Sequence, residues 1–402
     1  MALHITDLRC FLSGRPCLAV FPSPRFPSSH GHLSPTPTFL SSTTMRTVAS
    51  ALSLSLLPLL VTAAFSPVRE YKGQDFFSQW DFDDKIDDTT WGNVTYLGAP
   101  AASAAKLVDV NAAGNVIIKV DNTTVIQPAS LVHRNSVRIT SKDTYGVGNV
   151  IIADFVHMPY GCSVWPSFWL LGQGAEWPNA GEIDIVEGIN LYENNQFSLH
   201  TPAGCQQPDS VKQTGRILST NCESVSGTNK NGCITEETKP NSFGKGFAQA
   251  GGGVFALQID VTGIFMWFWT RAEIPKSITS STSTSTLDLT DWGNPSAAYP
   301  AVSCNVTEFF KPQNIILDIT LCGLFAGALY SRTCPGNCVN DNIIGSGAGY
   351  STAYFEIPYI RAYSAAAAPV PSASSSQPAA SHAPSPSAGG KHRRYRQQQQ
   401  QQ

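Results

Sequence analysis

The sequence predicts an all-β fold, a sandwich or jelly roll built from many short strands. Runs of β-branched and aromatic residues recur along the chain, and Gly, Pro, Asn and Asp separate them. No segment keeps a helical period over three turns. Such punctuated runs are typical of sheets packed face to face. We expect strands over residues 116–120, 136–141, 149–157, 182–187, 197–201, 254–259, 264–271, 315–321 and 354–363.

Two segments at the start of the chain depart from this pattern. Residues 1–44 are rich in Ser and Pro and precede a second methionine, Met45, so we expect a gene-model extension or a disordered leader. Residues 45–64 have a basic start, an apolar run of about eleven residues and small residues at the end, as a secretory signal peptide does. That run is too short to span a bilayer.

The composition changes again at the other end of the chain. From Ala365 it is dominated by Ala, Ser and Pro, followed by a basic cluster and six glutamines. Such a segment buries too little apolar surface to offset the entropy of ordering it, so we expect a disordered tail over 365–402 without a lipid anchor. The remaining residues, 65–364, suffice for one large catalytic all-β domain.

The charge of this core limits the classes of partner. The whole chain has a net charge of −3, but residues 1–64 and 365–402 are both basic, and without them the core is at −10. An acidic core argues against nucleic acid and against an anionic membrane surface as partners. A neutral polymer is compatible with it. We expect a secreted monomer that leaves the membrane after signal cleavage.

Eight cysteines lie in the core, and we expect them to form up to four disulfides. An even number behind a signal peptide indicates an oxidising compartment, and three glycosylation sequons, at Asn93, Asn122 and Asn305, fit that setting. Zinc is the alternative, but no second spaced pair or nearby histidine accompanies the last two cysteines. The sequence leaves about 105 pairings open. The eight are Cys162, Cys205, Cys222, Cys233, Cys304, Cys322, Cys334 and Cys338.

Three carboxylates crowd one predicted strand, the segment EIDIVE from Glu182 to Glu187. Acidic residues are depleted in strands, and like charges on one face destabilise a sheet, so this cluster indicates an active site. In a regular strand Glu182 and Asp184 share a face while Glu187 points away. One β-bulge at Ile185 or Val186 brings all three onto one face. Two glutamates there can reach the separation of about 5–5.5 Å that a retaining glycosidase requires.

Two other interpretations of this strand stay open. An acidic edge that prevents pairing with another sheet explains the charge, but not the apolar residues between the acids. A calcium or manganese site would use oxygen ligands, but the loop-borne Asp/Asn/Gly spacing usual for such ions is missing. We therefore expect neither a metal nor a cofactor.

Aromatic residues concentrate just before the acidic strand, at Trp165, Phe168, Trp169 and Trp177. Aromatic rings stack on sugar rings because both bury flat apolar surface. We expect Phe168 to belong to the core. We expect Trp177, in a loop of Gly, Pro and Asn, to stack on a sugar.

One histidine, His200, lies on the next predicted strand. Antiparallel pairing would bring it to the carboxylate face, where it could pair with Glu187 and hydrogen-bond that carboxylate or deliver a proton. A single histidine in a strand is often structural instead.

These features resemble the fungal endo-1,3(4)-β-glucanase, or laminarinase-like, branch of glycoside hydrolase family 16. The similarity runs along nearly the whole core, and its most specific part is the acidic strand in its context WPNAGEIDIVE. Other matching segments are YKG with FF, SVRI, HMPYGC, WPSFW, SLHT, AGGG, DWG and TLCG.

The resemblance implies a β-jelly-roll sandwich, concanavalin A-like, with a concave substrate groove for β-glucan. It implies that Glu182 is the nucleophile, Glu187 the acid/base and Asp184 the residue that tunes the nucleophile. By the same matching, the groove positions are Arg138, Trp169, Trp177 and His200.

One departure from the family concerns the edge of this groove. Where members commonly have CGDWAG, this chain has Leu324 and Phe325 in place of the acid and the tryptophan. Because the acidic strand is intact, we expect an altered subsite preference and not inactivity.

The function implied is a secreted retaining endo-β-glucanase acting on 1,3- or mixed 1,3/1,4-linked glucan. A cell-wall transglycosylase is the nearest alternative, because a sugar can replace water in accepting the glycosyl group. A non-catalytic, lectin-like glucan-binding protein is a third. Loss of a catalytic glutamate would mark the lectin, and both glutamates are present.

Overall fold

Strands account for most of the regular structure, and the helices are short. The computed structural model describes residues 64–129, 131–225, 228 and 231–365. The strands of this part are β1 (Phe65–Tyr71), β2 (Trp80–Phe82), β3 (Lys85–Ile86), β4 (Val94–Tyr96), β5 (Val108–Val110), β6 (Val116–Lys119), β7 (Arg134–Ser136), β8 (Arg138–Tyr145), β9 (Asn149–Phe155), β10 (Val164–Gly172), β11 (Glu182–Glu187), β12 (Gln196–His200), β13 (Arg216–Ser219), β14 (Cys233–Glu236), β15 (Gly253–Asp260), β16 (Gly263–Thr270), β17 (Ala297–Pro300), β18 (Gln313–Leu321), β19 (Tyr354–Ile357) and β20 (Tyr359–Ala365).

The helices between them are one or two turns long. The α-helices are α1 (Ala99–Ala104), α2 (Gly244–Gln249), α3 (Lys276–Thr279) and α4 (Val306–Phe309). Single 3₁₀ turns are Gly73–Asp75, Phe77–Gln79, Tyr330–Arg332 and Gly347–Tyr350, and π-turns are Gly323–Gly327 and Val339–Ile343. None of the described helices is long and apolar enough to cross a membrane.

Two large antiparallel sheets form the sandwich that the sequence predicts. The six-stranded sheet has the order β1-β20-β9-β15-β16-β17, and the eight-stranded sheet has the order β13-β14-β12-β11-β10-β18-β8-β2. Two three-stranded sheets, β19-β6-β5 and β3-β4-β7, complete the described part. The predicted all-β class is confirmed.

Aromatic side chains join the two large sheets. Phe155 of the six-stranded sheet meets Phe168 of the eight-stranded sheet edge-on, with 5.4 Å between ring centroids. Phe255 and Phe197 make a second contact between the sheets, with tilted rings and 6.3 Å between centroids. Phe168 is completely buried, which confirms its expected place in the core. Side chains of successive strand residues alternate between faces, so each sheet has a second face outside this layer.

Two predicted strands are each broken in two. The segment 136–141 spans the end of β7 and the start of β8, which pair with different sheets. The segment 354–363 divides at Pro358, which has no N–H to donate to a ladder. On one side of Pro358, β19 pairs with β6, and on the other side β20 pairs with β9.

All eight core cysteines are paired, which confirms the predicted disulfides. The pairs are Cys162–Cys334, Cys205–Cys304, Cys222–Cys233 and Cys322–Cys338. The expectations for residues 1–44, for the signal segment up to 63 and for the tail after 365 lie outside the described residues. The described residues all fall in the unit Leu60–Gln402.

Candidate active site

A β-bulge in β11 places the three acids on one face of the eight-stranded sheet. Glu182, Asp184 and Glu187 lie opposite residues 171, 169 and 167 of β10, which alternate and therefore share a face. The extra residue is Ile185, which has no partner in either neighbouring strand. The predicted bulge is confirmed. We call this side of the sheet, with its three acids, the acidic face.

Apolar side chains on the other face of β11 anchor the strand in the core. Ile183 and Val186 are completely buried in the core between the sheets. Before the strand, Gly181 has φ +78°, and a Cβ there would lie 2.5 Å from the Phe310 ring and 2.6 Å from a backbone oxygen. Only glycine fits this position, so the entry into the strand is fixed.

Glu182 is mostly buried and has two polar neighbours. The Trp177 indole N–H donates to Oε2 over 2.8 Å, and His200 Nε2 lies 3.7 Å from Oε1. Burial raises the pKa of Glu182 to about 7, and the nearby Asp184 carboxylate acts in the same direction. His200 and the Trp177 N–H oppose this shift, because both stabilise the charged carboxylate.

Asp184 lies between the glutamates and is tied to β12. Ser198 donates its hydroxyl to Oδ2 over 2.8 Å, and His200 Nε2 lies 3.0 Å from the same oxygen. Asp184 is only 4% exposed. It therefore acts on both glutamates through space, as a buried negative charge.

His200 lies opposite Glu182, and its expected pairing with Glu187 is wrong. The β11–β12 register sets Glu182 against His200 and Glu187 against Gln196. Burial alone would lower the pKa of His200, but the carboxylates of Glu182 and Asp184 outweigh it and raise the pKa to about 9. The imidazole is thus a cation at neutral pH, and its Nδ1 lies 2.9 Å from the Ser224 hydroxyl.

Glu187 has its own indole donor, which the sequence did not single out. Trp165 Nε1 donates to Oε1 over 3.1 Å, and Trp165 is two residues before Ser167, the β10 partner of Glu187. Burial, followed by the charge of Asp184, raises the pKa of Glu187 to about 8. The alternation of side chains along β10 predicts that Trp165 lies on the acidic face. Only the register of the strands shows that it lies beside Glu187.

Arg138 on β8 and Trp169 on β10, both expected in the groove, meet across the strand β18 that lies between them. The Arg138 guanidinium lies over the Trp169 ring, 5.1 Å from its centroid. Trp169 Nε1 donates to Oδ1 of Asp318 over 2.7 Å. Asp318 was not expected, and burial raises its pKa to about 6 although the Arg138 charge opposes this. It lies directly opposite Arg138 and Ser167 in β18.

Trp177 is the most exposed of the expected site residues, at 38%. Its ring centroid lies 5.9 Å from that of His200. An exposed ring beside Glu182 is available for stacking, and that role stays a prediction.

Glu182, Asp184 and His200 are also the group that most resembles a metal site. One potential ligand atom of each lies within 4.8 Å of the others. Each of these atoms already has a partner within the trio. These contacts between the imidazole and two carboxylates also provide mutual charge compensation within the trio.

The two residues that depart from the family have different surroundings. Leu324 is 64% exposed and lines a cavity of about 510 Å³ together with Trp91, which is 70% exposed. Phe325 instead packs edge-on against Trp165, with 5.4 Å between ring centroids.

Two mostly buried glutamates lie on one face of a β-sandwich, with an aspartate between them, and a pair of carboxyl groups is what most enzymes that cleave glycosidic bonds use. The chain belongs to glycoside hydrolase family 16. Residues 80–363 match the family described as "XgeA-like, catalytic GH16 domain". The chain is accordingly a glycoside hydrolase, and the resemblance seen in the sequence is confirmed.

Fungal relatives agree with this assignment. A probable glycosidase of Schizosaccharomyces pombe is 38% identical over 310 residues, which cover 76% of this chain and 71% of that protein. The endo-1,3(4)-β-glucanase xgeA of Emericella nidulans is 34% identical over 336 residues, or 81% of this chain and 52% of that protein. The chain spans about half the length of the endo-1,3(4)-β-glucanases that it matches.

Solved structures show the same fold. Laminarinase 16A from Phanerochaete chrysosporium, with 6-O-glucosyl-laminaritriose in its donor and acceptor sites, is 34% identical and has a TM-score of 0.70. An elongating family 16 β-1,3-glucosyltransferase is also 34% identical, with a TM-score of 0.68. Each comparison covers 75% of this chain and 100% of the other.

Proposed function

We propose that this domain is a retaining endo-β-glucanase that hydrolyses 1,3- or mixed 1,3/1,4-linked β-glucan by double displacement. The observation that carries the proposal is the bulged strand β11. It presents Glu182 and Glu187 on the acidic face, each with an indole donor of its own. One carboxyl then serves as nucleophile and the other as acid and base.

Glu182 is the nucleophile. The imidazolium of His200 and the N–H of Trp177 both favour its ionised form. The carboxylate attacks the anomeric carbon and forms a glycosyl ester, while the bond from that carbon to the leaving oxygen breaks.

Glu187 is the general acid and then the general base. Its raised pKa keeps it protonated near neutral pH, so it can donate a proton to the leaving oxygen. The resulting carboxylate takes a proton from water as that water attacks the anomeric carbon. The ester to Glu182 breaks, and the sugar is released with its original configuration.

Asp184 and His200 balance charge within the site. With Glu182 and Asp184 ionised, Glu187 protonated and His200 cationic, the four groups together carry one negative charge. After burial, the charge of Asp184 is the main cause that raises the pKa of Glu187, and it helps to keep this acid protonated.

The glucan specificity rests on the relatives and on the groove side chains. Fungal relatives of this family are described as endo-1,3(4)-β-glucanases. Arg138, Trp169 and Trp177 offer stacking surface and hydrogen-bond donors for sugar rings. Hydrolysis at internal bonds requires that this groove be open at both ends.

A transglycosylase is the second candidate, because one structural neighbour is a glucosyltransferase of the same family. The first step is identical, and only the acceptor of the glycosyl group differs. Chromatography of the products from laminarin, lichenan and xyloglucan separates the two. Shorter oligosaccharides alone support hydrolysis, and products longer than the substrate support transfer.

Retention is tested on the first product formed. Proton NMR should show the β-anomer first from a β-glucan. An α-anomer appearing first would exclude the covalent intermediate and the role of Glu182.

We further propose that the protein is secreted as a monomer and that its mature form starts near Phe65. The signal-like segment 45–64 and four disulfides support this. N-terminal sequencing and thiol titration of secreted material test it. A terminus upstream of Met45, or several free thiols in the native protein, would contradict it.

A further inference from the structure

Trp165 links the acid/base to a small apolar cluster outside the main core. Its indole N–H donates to Glu187, and its ring packs with Ile189 and Ala326. Three partly buried side chains, Tyr192, Phe325 and Leu329, pack against this cluster. The indole that donates to Glu187 therefore also packs against this cluster.

Phe325 makes the defined ring contact in this cluster. Its ring stands at 82° to the Trp165 ring, with 5.4 Å between centroids. This is the edge-to-face arrangement that aromatic pairs prefer, and it fixes both the position and the tilt of the partner. A smaller side chain at 325 would leave the indole free to rotate away from Glu187.

The backbone that carries Phe325 is anchored at several points. The disulfide Cys322–Cys338 closes the loop that contains it, and Cys162–Cys334 ties that loop to the segment before β10. Asn190 donates its side-chain amide to the Ala326 carbonyl over 2.9 Å. Phe325 is thus held rigidly relative to the strand that carries Trp165.

We infer that Phe325 is a positioning residue, which orients Trp165 and, through it, the carboxyl group of Glu187. The inference rests on the proposed role of Glu187 as acid/base. Phe325 stands where family members commonly have tryptophan. By this inference the replacement affects the orientation of Glu187, in addition to any effect on sugar binding at the groove edge.

The direction of the effect follows from the hydrogen bond. The Trp165 N–H stabilises the ionised form of Glu187, so its loss raises the pKa of that carboxyl further. Activity requires protonated Glu187, so the alkaline limb of the pH profile should move to higher pH in W165F. F325A should move it in the same direction because the donor is no longer held in place.

The experiment measures the pH dependence of kcat/KM on laminarin for wild type, W165F, F325A, F325L and the double variant W165F/F325A. We expect the alkaline limb to shift upward by about 0.5 pH unit or more in W165F, and by less in F325A. The double variant should shift no further than W165F, because the donor that Phe325 orients is already gone. F325L, which keeps apolar bulk, should lie between F325A and wild type.

V302A is the control. It shortens an aliphatic side chain that is 95% exposed and lies neither on the acidic face nor in the cluster around Trp165, so it should leave the alkaline limb in place. Melting temperatures of all variants separate a shifted limb from simple unfolding. An unmoved limb in folded F325A, or additive shifts in the double variant, would overturn the inference.

The proposed function and this inference can be refuted by different results. If E187A kept near-normal turnover on laminarin, Glu187 would not be the acid/base. If E187A is inactive while folded W165F and F325A keep the wild-type limb, only the positioning role is wrong.

Discussion

The indole of Trp177 donates its N–H to Oε2 of Glu182, with 2.8 Å between the two atoms. Trp165 bears the same relation to Glu187. One donor comes from the loop before β11 and the other from the neighbouring strand, so the indole donor of each carboxyl group can be removed separately.

Replacing each of the two glutamates by alanine should impair catalysis in a different way. E182A should abolish hydrolysis, and azide should rescue it with an activated glycoside to give the inverted product. E187A should slow natural glucans by about 10²–10⁴-fold and activated glycosides much less, because only a poor leaving group needs a proton. Steady-state kinetics on both substrate types measures this. Near-normal turnover of both variants on laminarin would refute the assignment.

W177F should move the acidic limb of the kcat/KM profile to higher pH. The ring stays, but the N–H that stabilises ionised Glu182 is lost, so the pKa of the nucleophile rises. W177A should in addition raise KM for long glucans several-fold, consistent with about 1 kcal/mol of stacking. W91F, at another exposed tryptophan, is the control. The same limb in W177F and wild type would contradict the proposed contact.

D184N should lower the alkaline limit of activity. The charge of Asp184 raises the pKa of Glu187, so its neutralisation lets the acid lose its proton at lower pH. S198A removes a hydrogen bond to Asp184 but keeps its charge, and should shift the limit less. A pH profile on an unactivated glucan gives the measurement. Equal shifts in the two variants would argue against an electrostatic role.

E187Q should stabilise the fold at alkaline pH. The folded-state pKa of Glu187 is raised to about 8 from its ordinary 4.5, so wild-type stability falls as pH rises between these values. The amide carries no charge to bury, so its melting temperature at pH 9 should exceed that of wild type by on the order of a few degrees. At pH 4 the two should match. E308Q, at an exposed glutamate, should equal wild type at both pH values.

Local pattern was sufficient to predict β11 and its bulge, because three acids can share a strand face in only a few ways. It was not sufficient for β10, which contains Pro166. That proline lies opposite Ile319 of β18, and the pairing of β10 with β11 begins only at Ser167. Pro166 therefore occupies a stretch with one partner strand, where a missing N–H costs little.

The sequence did not predict which residues lie opposite each other on paired strands. The partner of His200 depends on the length and shape of the connection from Glu187 to Gln196, which no local pattern gives. Asp318 meets Trp169 although 149 residues separate them in the chain. Such pairs arise from sheet order, and one sequence does not reveal that order.

The position of β20 between β1 and β9 has a consequence for biosynthesis. The first strand of the described domain pairs with the last, Phe65 with Ala365, and β9 takes its second neighbour from the same late segment. When residues 65–350 have left the ribosome, β1 and β9 are present, but β20, which pairs with both of them, is not. The six-stranded sheet is thus completed only after the last strand emerges, and until then β1 and β9 each expose an open edge to chaperones and to other nascent chains.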